Sequence, residues 1–229
     1  MRIISKKQNQ AAAAAFNNAV AERFSDAGIA AEIRAHRSGK EYDFVHIDCP
    51  PRHWPSLAKW LRFDQRFDYL GMISGVHYPL EFSFHDGTPP SKPGSEEKGW
   101  EVTVHLTRKS IIDARVGESI VLEPSKLEGM AVPLELQVTM TLPQTDEPSV
   151  PSVQHIWEGA DWNEKETWDL LGIDFEGHEG MMRVLNPHDS PAGFHPLQKQ
   201  FKIRYHNYNE MYDDPQGFGR KPTDSGLKK

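Results

Sequence analysis

The residues best suited to chemistry are carboxylates and imidazoles gathered in the last third of the chain. Glu166 and Asp169 stand three apart, and His178, His188 and His195 follow with Asp189 between them. Carboxylate oxygen and imidazole nitrogen are the ligand types of zinc and non-haem iron sites, so a stand-alone metalloenzyme using Glu166, Asp169, His178 and His188 is one reading. The spacing does not favour it. No HExxH or ExxH occurs in the segment, and no histidine pair sits four apart on a helical pattern. The competing reading has the carboxylates capping a helix and meeting Lys165 or Arg183, with the histidines in Gly/Pro-rich turns. Other chemistries are bounded more firmly. Cys49 is the single cysteine, which rules out an internal disulfide, a cluster held by this chain's own cysteines or a CxxC redox pair. Neither GxGxxG nor GxxxxGK[ST] is present, so both common nucleotide cradles are missing.

The element that must position these groups runs from Trp157 to His178. Asp161 followed three residues later by Glu164 fits a capping box. Glu164 and Glu166 then lie in the first turns, where the helix dipole favours negative charge. Trp168 and Leu171 can share one buried face. Gly172 falls where a left-handed residue would stop the helix, and Ile173 and Phe175 alternate with Asp174 and Glu176 as in a short strand. Upstream, residues 9–27 read as an amphipathic helix with Phe16, Val20 and Phe24 on one stripe and Gly28 as its stop. Residues 42–49 read as a strand, with Val45 and Ile47 opposite Tyr42 and Phe44. A second helix follows Pro55 to about Gln65. Residues 67–78 form a strand interrupted by Gly71 and Gly75. Residues 86–99 form a loop, and Trp100–Arg108 and Leu134–Leu142 alternate clearly as strands. This order predicts an α+β fold, with helices packed on a mostly antiparallel sheet and an irregular C-terminal extension. One domain is expected over residues 1–189, with its signature segment at 151–189 and an extended partner-docking tail over 190–229. In that tail Phe201, Tyr205, Tyr208 and Tyr212 could share a helix face on their own domain or anchor an extended segment on a partner.

The chain has 229 residues and a net charge of −7, which disfavours nucleic-acid phosphate and anionic lipid as partners. No apolar run is long enough to span a bilayer, and the alanine-rich N-terminus reads as a helix rather than a signal peptide, so a cytoplasmic location is expected.

The string Trp157–Glu158–Gly159–Ala160–Asp161–Trp162–Asn163–Glu164–Lys165–Glu166–Thr167–Trp168–Asp169–Leu170–Leu171–Gly172–Ile173–Asp174–Phe175–Glu176–Gly177–His178 resembles the signature of the thirty-kilodalton subunit of respiratory NADH:quinone oxidoreductase (complex I). The likeness extends from about Phe67 to Phe201. It includes the lead-in Pro151–Ser152–Val153 and Arg183–Val184–Leu185, which is similar to the end of an Arg–Arg–Ile–Leu run. Departures are Lys165 for Arg, Met182 for the first Arg of that run, Gln198 and Gln200 within Pro–Leu–Arg–Lys–Asp, and His77–Tyr78 for Asp–Tyr.

The resemblance implies a non-catalytic peripheral-arm subunit on the cytoplasmic face of the inner membrane. Its neighbours would be the quinone-site and adjacent iron–sulfur subunits, with membrane association only through them. The chain itself would bind no cofactor and no metal, while FMN, iron–sulfur clusters and quinone belong to the implied complex. Its interface and structural residues would be Trp162, Glu164, Glu166, Trp168, Asp169, Gly172, Gly177, His178, Arg183 and Lys199. Glu164, Glu166 and Asp169 would pair with Arg183 and Lys199, Trp162 and Trp168 would pack the helix, and Asp169→Asn would weaken assembly more than the lone chain. The equivalent subunit of a membrane-bound hydrogenase or formate-oxidising complex carries a similar string and is the alternative.

Overall fold

The computed structural model describes residues 6–36, 43–80, 94–109 and 132–199. Helix α1 (Lys6–Arg23) leads into β1 (Ala30–Ala35) and β2 (Asp43–Asp48). A 3-10 turn (Pro51–His53), helix α2 (Trp54–Lys59) and a π-helical turn (Trp60–Asp64) follow. Then come β3 (Tyr69–His77), β4 (Trp100–Arg108), β5 (Leu134–Leu142), β6 (Ser149–Pro151), α3 (Glu158–Leu171) and β7 (Asp174–Glu176). Among the described residues the main sheet has five strands in the order β1-β2-β5-β4-β3, and only its β2–β5 pair is parallel. The predicted α+β architecture, with helices on a mostly antiparallel sheet, is therefore the one observed.

Strand register explains why one sheet face is the core. Val45 pairs with Leu136 and Ile47 with Val138, while Val138 and Leu136 face Val104 and Leu106, which in turn face Ile73 and Leu70. The period-2 alternation puts all of these on one side, where they are buried. The apolar stripe of α1 closes over that face: Phe16 stacks on Trp60 at 5.8 Å, and Phe24, just past the helix end, meets the same indole edge-on at 5.4 Å. The helix ends at Arg23, earlier than its amphipathic pattern predicted, and Gly28 sits at φ +66° in the turn beyond. Tyr42 lies outside the described residues. Cys49 is buried, and desolvation raises its thiol pKa to about 12, so this cysteine is inert packing rather than a nucleophile.

β3 is an edge strand, and α3 covers its edge. The Asn163 side-chain oxygen accepts from the Ile73 N–H at 3.1 Å, and the Thr167 hydroxyl lies 3.3 Å from the Ile73 carbonyl. Among the described residues this strand edge is thereby hydrogen-bonded by helix side chains instead of another strand. The close approach depends on Gly75, where a Cβ would fall 2.7 Å from Ile173 Cδ1 and 2.8 Å from Leu171 Cδ1. Gly75→Val is expected to cost about 1–3 kcal/mol by overpacking, read as a lower urea midpoint. Unchanged stability would contradict this contact. At Gly71 the strand carries a register shift between Leu70 and Met72, the irregularity that the glycine signalled.

Candidate functional site

The signature segment folds into a clasp around α3, and each end of the helix is tied by a different polar cluster. The lead-in 149–151 is β6, which pairs in parallel with β7 so that Val150 lies beside Phe175, both buried. From there the chain turns through Val153, whose carbonyl accepts from the Ile156 and Trp157 amides, and enters the helix at Glu158.

At the N-terminal end the predicted capping box does not form. Trp157 is the cap residue in an extended conformation, φ −129°, with no side-chain cap, and Asp161 already lies a full turn inside. The physical reason is where Glu164 goes. Its fully buried carboxylate turns inward to accept from the Ser152 hydroxyl at 2.6 Å and the Val153 amide at 2.8 Å, staking the lead-in to the helix. Burial raises the Glu164 pKa, and the Ser152 and Val153 hydrogen bonds only partly oppose that rise. Asp161 meets Lys165 at 2.9 Å and His178 Nε2 at 3.2 Å, and the His178 side chain is buried with its Nε2 4.0 Å from Glu164.

The buried acid predicts a pH signature. A carboxyl whose folded pKa exceeds its unfolded one binds its proton more tightly when folded, so its contribution to stability declines as pH rises above about 4.5. Glu164→Gln keeps an acceptor for Val153 and is expected to remove that decline, while shifting neutral-pH stability by less than about 1.5 kcal/mol. Urea denaturation at several pH values reads both effects. A much larger neutral-pH loss would mean that the negative charge itself is required.

The C-terminal end is organised by Asp169. Its carboxylate is completely buried and accepts from Arg183 Nη1 at 2.8 Å, from the Val184, Leu185 and Asn186 amides at 2.8–3.0 Å, and from Asn186 Nδ2 at 2.9 Å. Three consecutive backbone amides thus converge on one oxygen. Its own carbonyl lies 3.1 Å from Asn186 Nδ2 and 3.0 Å from His195 Nδ1. Burial alone would raise the Asp169 pKa, but the hydrogen bonds from Asn186, Leu185 and Arg183 outweigh it and hold the carboxyl well below its ordinary range. Arg183 also donates to the Phe194 and Pro191 carbonyls, each at 3.0 Å, so one guanidinium pins the 191–194 turn to the end of α3. Gly172 ends the helix at φ +77°, as the sequence predicted, and its amide returns to the Trp168 carbonyl at 2.7 Å. Gly177 occupies the same left-handed region at φ +82° in the turn after β7.

Not every residue lands where its sequence role placed it. Asp169 meets Arg183, but Glu164 meets neither Arg183 nor Lys199, because it is buried against Ser152 and Val153. Glu166 accepts from Trp162 Nε1 at 2.7 Å on the helix exterior. Trp162 is 53% exposed and does not pack the helix. Trp157 does so instead, stacked on Trp54 at 6.2 Å and donating to the Phe67 carbonyl at 2.8 Å. Trp168 is half-buried, with the Arg183 guanidinium 5.7 Å from its ring centroid. The Lys199 amide donates to His77. No local pattern marks Ser152, Asn163 or Thr167 for these contacts; Asn186 carries a signal as part of an Asn–Pro turn.

The set Glu166, Asp169, His178 and His188 does not converge. Asp169 and His178 sit at opposite ends of α3, Glu166 and His188 lie elsewhere, and among the described residues no three His, Cys, Asp or Glu side chains form a metal-holding group. No described helix is long and apolar enough to cross a membrane. Of the segment assigned to a tail, residues 190–199 close over the end of α3, with the Leu197 amide on the Leu170 carbonyl at 2.9 Å and Gln198 Nε2 on the Leu171 carbonyl at 2.7 Å. The aromatic series from Phe201 to Tyr212 lies outside the described residues.

Comparison with known proteins agrees with this segment's pattern. The chain is 28% identical over 197 residues to the C subunit of NADH-quinone oxidoreductase from Chlorobium phaeobacteroides, covering 84% of this chain and 92% of that protein. It is 32% identical over 149 residues to the corresponding protein of Acidothermus cellulolyticus, covering 64% of this chain. The chain spans 58% of the Acidothermus protein and 51% of a Chloroherpeton thalassium relative. Among solved structures, a chain of the membrane-bound sulfane sulfur reductase, an archaeal respiratory membrane complex, shares the fold at TM-score 0.50 and 18% identity, covering 82% of this chain and 86% of that one. Residues 47–207 match the family described as respiratory-chain NADH dehydrogenase, 30 Kd subunit, and the chain belongs to that family.

Proposed function

We propose that this protein is a non-catalytic peripheral subunit of a proton-translocating NADH:quinone oxidoreductase, stabilising the quinone-reducing module on the cytoplasmic face of the membrane. Electrons would pass from NADH through FMN and iron–sulfur clusters held by neighbouring subunits to quinone. The observation that carries this reading is how the signature's ionisable groups are used. The side chains of Glu164, Asp169, His178 and Arg183 are buried and face partners in this same chain, so they build a rigid body rather than a reactive pocket. With one cysteine, this chain cannot supply a four-cysteine cluster site, which fits a reading in which the iron–sulfur clusters are held by its partners. Around the Asp169 shell, Met182, Leu185 and Leu197 are each about half exposed, and exposed apolar side chains on a rigid frame suit contact with another protein of the assembly.

Deleting the gene and assaying membranes for NADH:quinone reduction tests the proposal. Loss of quinone-site-inhibitor-sensitive activity, restored by the plasmid-borne gene, is expected. Full activity in the deletion strain would overturn the NADH-linked reading. A defect confined to hydrogen or formate oxidation would assign the chain to the related assembly.

A further inference from the structure

We propose that His77 is a protonation-sensitive latch that holds the segment following β7 onto the end of β3. The latch lies outside the two clusters that tie α3, and it does not depend on which respiratory assembly the chain joins.

His77 is the last residue of β3, and its register partner on β4 is Trp100. The two rings lie flat against each other, with centroids 4.0 Å apart and planes inclined by 14°. Trp100 is itself fixed by donating Nε1 to the Thr145 carbonyl at 3.0 Å. His77 is therefore buried and rotationally constrained, with Nδ1 accepting from the backbone N–H of Lys199 at 3.1 Å. A backbone amide can only donate, so Nδ1 must carry a lone pair and the ring must be the neutral Nε2–H tautomer. Protonation would set an Nδ1–H against the Lys199 N–H and place a second positive charge beside the Lys199 ammonium.

The surroundings oppose that protonation. Burial lowers the His77 pKa first and the Lys199 charge adds to it, bringing the value to about 4. Among the described residues Lys199 is the charged group that acts on this ring; Lys98 and Glu101, which flank Trp100, pair with each other. Upstream, Leu197 and Gln198 are bound to the carbonyls of Leu170 and Leu171. Opening the latch would therefore release Lys199 from β3 while the preceding residues stay on α3. The neutral imidazole fixes the point on the folded body from which the chain continues past Lys199.

The test is 15N NMR of the full-length chain titrated between about pH 8 and pH 3. The His77 ring is expected as the Nε2–H form at neutral pH, with a midpoint at about 4. The Lys199 amide should shift with the same midpoint. His77→Asn places a non-titrating oxygen near the Nδ1 position and should keep the Lys199 amide bonded without that pH response. His77→Leu removes the acceptor and should speed Lys199 amide exchange by about tenfold or more, with Leu197 unchanged. A His77 midpoint near 6.5, or a Lys199 amide that responds identically to the Asn and Leu variants, would overturn the proposal. If the Leu variant does not fold, the wild-type titration and the Asn variant decide it.

Discussion

Replacing Asp169 with alanine is expected to destabilise the isolated chain by about 3–5 kcal/mol, the range typical of breaking a buried charge pair from one side. The substitution takes the carboxylate from the buried Arg183 guanidinium, leaving it on the neutral Phe194 and Pro191 carbonyls, and removes the common acceptor of the Val184, Leu185 and Asn186 amides. Asp169→Asn is expected to be costly too, because an amide NH2 must point at one set of donors or the other. The hydrogen-bond donors around the carboxylate belong to its own chain, so Asp169→Asn is expected to lower the stability of the lone chain in addition to any effect on assembly. The pH dependence has a definite sign. A carboxyl held below its ordinary pKa of 3.8 contributes stability above that value and loses it as pH falls through the folded pKa. The difference between wild type and Asp169→Ala should therefore be largest near neutral pH and shrink below about pH 4. Equilibrium urea unfolding of the lone chain measures both effects, and a loss under about 1 kcal/mol at neutral pH would show that the shell does not depend on this carboxylate.

Gly172→Val should produce an effect of similar size, about 2–6 kcal/mol, as the sum of strain and two lost hydrogen bonds. A β-branched residue at φ +77° carries backbone strain of about 1–3 kcal/mol. The added Cβ would also fall 2.8 Å from His195 Cδ2 and 2.9 Å from Gln198 Nε2, displacing groups that hydrogen-bond the Asp169 and Leu171 carbonyls. The lost bonds add about 0.5–1.5 kcal/mol each. Gly172→Ala isolates the same backbone strain with a smaller side chain, and should cost less than valine in thermal unfolding. Equal values for the two would mean that the 195–198 loop yields freely. Gly177 offers a control: it shares the left-handed conformation, but its Cβ position is open, so Gly177→Ala should show strain without collision.

Features governed by local periodicity were legible in the sequence. Trp100–Arg108 and Leu134–Leu142 appear with the predicted bounds because strict alternation leaves one register that buries the apolar set. Gly172 was legible because a glycine after a helical run signals a left-handed stop. Groups decided by long-range contact were not. Asp161 and Glu164 fit a capping box on spacing, yet Glu164 is drawn to Ser152 and Val153, twelve and eleven residues upstream, and the helix starts earlier. Trp162 and Trp157 carried equivalent local patterns; only the position of Trp54 and the Phe67 carbonyl buries the second and leaves the first in solvent. The partner of His77, 122 residues away, has no local signal at all. The histidine and carboxylate set suggested a metal on ligand type alone, and the fold separates its members along and around α3.

The assignment to a respiratory assembly is decided by what this chain binds in its native membranes. With an N-terminal tag and mild detergent extraction, the proposal predicts recovery of flavin-bearing and iron–sulfur proteins together with NADH:quinone reductase activity. Recovery with hydrogenase or formate-oxidising proteins would contradict the NADH-linked assignment, and recovery of the chain alone would contradict its role within a complex.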